Sequence, residues 1–95
     1  MAEAANKLEP SNPAFLDTLG WILVEKGNAA RGTDLLAKAH ALAPQMPDIA
    51  YHYAAALARA GNKSQARNEL EQLLKLHTGK KFPEEEQARR LLGQL

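Results

Sequence analysis

The sequence predicts an all-α chain of stacked antiparallel helical hairpins, closed by a C-terminal helix. Three observations carry this. Apolar residues make up 45% of the 95 positions but aromatics only 5%, so the apolar content is chiefly Ala and Leu, which favours helices over sheets. A shift of 34 residues lays Pro10 on Pro44, Pro13 on Pro47, Gly27 on Gly61 and Asn28 on Asn62. Leu23 then meets Leu57, Leu36 meets Leu70, and Leu8, Leu42 and Leu76 form a series of three. Scattered Ala or Leu matches arise by chance in such a chain, but turn residues in register mark a repeat. Within each period, finally, the local chemistry reads helix, turn, helix.

Taken in order, Asn12 is a good N-cap and Pro13 suits the first helical position, where its missing N–H is no loss. A helix then runs to about Lys26. Gly27 supplies the left-handed residue that ends it, and Asn28 caps a second helix that stops near Ala43, before Pro44. The second unit starts at Pro47 and turns at Gly61. Asn62 and Gln65 are spaced as a capping box, and the following helix is expected to stop near Gly79. Pro83, the acidic first turn Glu84 to Glu86 and the later Arg89 and Arg90 announce a final helix. Its face of Ala88, Leu91, Leu92 and Leu95, with Phe82 just before it, covers the second unit.

The apolar spacing agrees. Leu16, Leu19, Gly20 and Leu23 lie on one helical face, and Leu35, Leu36, Ala39 and Leu42 on the next. In the second unit Ala50, Tyr53, Ala54 and Leu57 face Ala66, Leu70, Leu73 and Leu74. Small residues at Gly20, Gly32, Ala39, Ala54 and Ala66 let backbones approach closely.

Chemistry-bearing motifs are scarce. Without cysteine there is no disulfide framework, thiolate zinc site or cysteine nucleophile. His40, His52 and His77 lack the spacing that puts two metal ligands on one helix face. No Gly-x-Gly-x-x-Gly or P-loop occurs, and Ser11 and Ser64 lie outside any nucleophile motif. Glu84 to Glu86 are explained by a helix N-terminus. No catalytic, cofactor-binding or metal-ligating residue is therefore expected. The net charge of +1 argues against a nucleic-acid scaffold. No apolar run approaches the roughly 20 residues of a membrane span, and Met1 to Lys7 lacks the features of a signal peptide.

These residues resemble the tetratricopeptide repeat, whose pattern is W-x2-L-G-x2-Y, then A-x3-F, then P. The first unit supplies Leu16-x2-Leu19-Gly20-x2-Leu23, Gly32-x3-Leu36, Ala39 and Pro44. The second supplies Ala50-x2-Tyr53-Ala54-x2-Leu57, Ala66-x3-Leu70, Leu73 and Thr78. Leu16 and Ala50 replace the tryptophan, Gly32 the alanine and Thr78 the closing proline. The resemblance implies a right-handed α-solenoid: a remnant of a preceding repeat in residues 1–12, units at 13–46 and 47–80, and a capping helix in 81–95. Residues 2–8 then read as half of an earlier second helix, so more repeats are expected upstream of Met1 and the parent's C-terminus is expected here.

Family resemblance also implies a non-catalytic protein-interaction scaffold whose concave groove is lined by Asp17, Trp21, Val24, Tyr51, His52, Ala55, Ala58 and Arg59. Trp21 and Tyr51 are its best anchors, and Arg59 suits an acidic group. Trp21 has a second reading, packed beneath the preceding repeat, in which case the chain exposes an apolar patch and self-associates. The implied partner is a protein or peptide, with no nucleic acid and no membrane insertion. The carboxylate clamp known in the family is disfavoured, because Asp17, Trp21 and His52 stand where it needs lysine and asparagine. Two other readings are an RNA-binding helical array and an accessory region of an upstream enzyme. The stretch Leu16 to Trp21 is similar to repeats of bacterial envelope lipoproteins linked to exopolysaccharide export and protein sorting, which implies a bacterial source and an envelope role; whether the setting is the bacterial cytoplasm or the periplasmic side of the envelope depends on the sequence upstream.

Overall fold

The computed structural model describes residues 12–95 as five helices: α1 Pro13–Glu25, α2 Ala29–Leu42, α3 Pro47–Arg59, α4 Lys63–Leu76 and α5 Glu85–Gln94. The earlier half-helix expected in residues 2–8 lies outside the described residues. Consecutive helices pack on one another, and α1 also touches α3 directly. This is the stacking expected of repeated hairpins.

Helix boundaries follow from backbone groups seeking partners. At the start of α1, Asn12 Oδ1 accepts from the Phe15 N–H at 3.2 Å. At the α1–α2 turn Gly27 has φ +93°. The Asn28 N–H donates to Leu23 O at 2.8 Å and the Gly27 N–H to Val24 O at 3.1 Å. The α3–α4 turn repeats this closure, with Gly61 at φ +91° and bonds from Asn62 to Leu57 O at 2.9 Å and Gly61 to Ala58 O at 3.1 Å. These pairs form the Schellman closure.

Four boundaries differ from expectation. The Asn62–Gln65 capping box does not form, and neither Asn28 nor Asn62 caps through its side chain. The closure of the preceding helix holds them at ψ 64° and 66°, short of the extended backbone that Asn12 adopts at ψ 101°. Their carbonyls instead open the next helix, accepting from Gly32 at 3.0 Å and Ala66 at 2.9 Å. Helix α4 stops at Leu76, before Gly79, where the Thr78 hydroxyl donates to the Leu74 and Lys75 carbonyls at 3.1 and 2.9 Å. Helix α5 starts at Glu85, because Pro83 sits inside a turn closed by the Glu85 N–H on Phe82 O at 3.1 Å.

Inside the first hairpin α1 and α2 cross almost backbone to backbone. A Cβ on Gly32 would lie 2.5 Å from both Gly20 O and Val24 Cγ2, and one on Gly20 would lie 2.9 Å from Gly32 O. One period later the same positions are Ala54 and Ala66, both fully buried. A further period on from Ala54 is Ala88 of α5, also fully buried. Helix α5 thus presents its small residue in the register of α1 and α3.

The core falls into three clusters along the stack. Leu16, Ala39 and Ile49 join α1, α2 and α3, with Leu35 and Ala43 against them. Val24, Leu36 and Ala56 form the next, under Trp21 and Tyr53. Ala50, Ala54, Leu70, Leu73 and Ala88 form the third, covered by Tyr51, Phe82, Leu91, Leu92 and others. Among the described residues an apolar stripe on α1 is left open: Phe15, Leu19 and Ile22 are 40%, 37% and 43% exposed. Two of their counterparts one period later, Ile49 and Ala56, are buried against the preceding second helix α2.

Candidate functional site

Asp17 and Trp21 stand one turn apart on α1, and His52 and Arg59 two turns apart on α3. Direct packing of α1 on α3 brings the two pairs together. Asp17 Oδ1 lies 2.7 Å from His52 Nδ1. An ionised carboxylate only accepts, so Nδ1 carries the hydrogen and Nε2 is the nitrogen left to titrate. Burial pushes the His52 pKa down, but the hydrogen bond and charge of Asp17 push it up, aided by the more distant Asp48 and Glu84. The net result is a pKa above the ordinary histidine value.

The Trp21 ring stacks on His52 with centroids 4.7 Å apart and planes 25° from parallel. Arg59 Cζ lies 5.2 Å from the same ring's centroid, a cation–π contact. Seven residues of helix rise about 10 Å, which is the interval an indole needs between His52 and Arg59. Trp21 thus lies between the surface and the core. Trp21 is half-buried, packed on the Val24, Leu36 and Ala56 cluster, and ties α1 to α3. Tyr51 adds a tilted ring 6.1 Å from His52 and reaches toward α5. Arg59 is exposed and has no carboxylate partner among the described residues.

Two expected groove residues are corrected. Val24 is only 3% exposed. Three residues after Trp21 it turns toward α2 and fills the space that Gly32 leaves by having no side chain. Ala55 is 7% exposed, too little to line a groove. Asp17, at 9% exposure, lies beneath the surface, bonded to His52.

A second polar group went unrecognised in the sequence. His40 of α2 stacks on Tyr53 of α3 at 5.5 Å, and its Nε2 lies 3.4 Å from Glu69 Oε1 of α4. The Tyr53 hydroxyl accepts from Gln65 Nε2 at 3.2 Å. Burial and the Glu69 charge raise the Tyr53 pKa, against the opposing effect of that hydrogen bond. Tyr53 reads as an ordinary core position because its ring does pack in the core; only its hydroxyl, at the edge, carries the polar role. Among the described residues no three His, Asp or Glu side chains converge as metal ligands.

A family model described as tetratricopeptide repeat matches residues 23–95. Neither a curated protein nor a solved structure matches the chain. The matched span takes in α2 to α5 and the last turn of α1. The hairpins that recur every 34 residues, and the close small-residue crossings within them, are accordingly those of the tetratricopeptide repeat family, to which this chain belongs.

Proposed function

We propose that the chain is a non-catalytic scaffold that presents the surface of α1 and α3, continued by α5, to a peptide or helix of a protein partner. Tetratricopeptide repeats generally mediate protein–protein interaction. The observation that carries the finer reading is Arg59. It is an exposed guanidinium without a carboxylate partner among the described residues, held over the half-buried Trp21 ring by a cation–π contact. Stacking and the Asp17–His52 bond fix the indole before any ligand arrives, so little ordering entropy opposes binding. An acidic group on the partner meets Arg59, and apolar side chains lie along Tyr51 and Trp21. The likeness of the Leu16 to Trp21 stretch suggests a bacterial envelope assembly as the setting.

Selection of peptides from a displayed random library against the immobilised chain tests this. Selected peptides should contain Asp or Glu beside an apolar residue and should shift the amide resonances of Trp21, Tyr51 and Arg59. Arg59→Glu should weaken them about tenfold or more. Peptides that map elsewhere, or that bind Arg59→Glu unchanged, overturn the reading.

A further inference from the structure

A separate cleft lies on the second-helix side of the stack. Between α2 and α4, over α3, it encloses about 170 Å³. Its floor is Ala50, its apolar walls are Pro44, Leu73 and Leu76, and its polar side is His40, Glu69 and Gln72. Leu76 is 58% exposed. The volume lies below the range of roughly 300–1,000 Å³ typical of small-molecule pockets and well above that of one water, which is the scale of a single inserted side chain.

The charge in the cleft is one-sided. The Glu69 side chain is only 19% exposed, and its one ion-pair partner among the described residues is His40, which neutralises it only when protonated. No lysine or arginine pairs with it among the described residues. A carboxylate partly withdrawn from water beside Leu73, Leu76 and Ala50 favours an incoming cation. The Nδ1 atom of His40 is also buried without a hydrogen-bond partner among the described residues.

From this charge complementarity we infer that the α2–α4 cleft binds the side chain of a lysine or arginine from a partner protein. The aliphatic stem lies on Pro44, Leu73 and Leu76, and the terminal cation meets Glu69, with the Gln72 amide beside it. Long basic side chains divide their stem and head between apolar and polar surroundings in this way. This surface is distinct from the α1–α3 face and does not depend on what that face binds.

Titration of the isotope-labelled chain, near neutral pH and low salt, with the peptide acetyl-Ala-Ala-Lys-Ala-Ala-amide and its norleucine counterpart provides the test. The lysine peptide should give saturable amide shifts confined to the neighbourhoods of His40, Glu69 and Leu73. It should bind about tenfold more tightly than the norleucine peptide. Glu69→Gln should abolish that preference while the helical circular dichroism is retained, and Leu76→Ser should weaken both peptides. Equal affinity for the two peptides, an unchanged preference in Glu69→Gln, or no saturable shift at about 10 mM peptide overturns the inference.

Discussion

Asp17 of α1 and His52 of α3 share a hydrogen bond of 2.7 Å across the junction between the two hairpins. This bond couples the stacking of the repeats to pH. Its folded-state effect is to raise the His52 pKa above 6.5, so the stabilisation is fully present below the unfolded value. It is lost as pH rises through the folded value. Urea unfolding should therefore show the difference in stability between wild type and His52→Gln shrinking as pH rises from 6 toward alkaline values. Asp17→Asn should cost about 1–2 kcal/mol at the acidic end and less at the alkaline end. A difference that grows with pH contradicts the pairing.

The crossing of α1 and α2 should not tolerate a methyl group. Gly32→Ala places Cβ against a backbone carbonyl and Val24, and should destabilise the chain by about 2–3 kcal/mol in urea. Gly93→Ala is the control, because a Cβ there meets nothing within 4 Å. Its unfolding midpoint should stay the same or rise slightly.

The open stripe Phe15, Leu19 and Ile22 occupies positions whose counterparts Ile49 and Ala56 pack against a preceding second helix. Copies of the chain should associate through it as concentration rises. Ile22→Lys should lower the association measured by sedimentation equilibrium about tenfold or more, with little change in urea midpoint. Unchanged association places the contact elsewhere.

The helices and their turns were legible in the sequence because Pro13, Pro47, Gly27 and Gly61 act locally: each fixes or frees one φ angle whatever the rest of the chain does. The Asn62–Gln65 box looked equally local, yet it was displaced by the Schellman closure, which constrains the same residue from the helix before. The contacts among the candidate site residues were less legible than the helices that carry them. The repeat puts Asp17 and Trp21 on one first helix and His52 and Arg59 on the next, but their mutual placement depends on how far α3 is rotated about its axis against α1. A 34-residue period does not encode that rotation. Val24 was misplaced for a related reason: its burial depends on Gly32, a residue of another helix.

We propose that Trp21 serves the binding surface more than the core. Measuring affinity and urea stability together for Trp21→Ala, with a selected acidic peptide as ligand, tests it most directly. We predict that affinity falls about tenfold or more while stability falls by no more than about 2 kcal/mol, as expected for a half-buried aromatic at an anchor position. Unchanged affinity together with a much larger loss of stability contradicts the account and assigns Trp21 to the core.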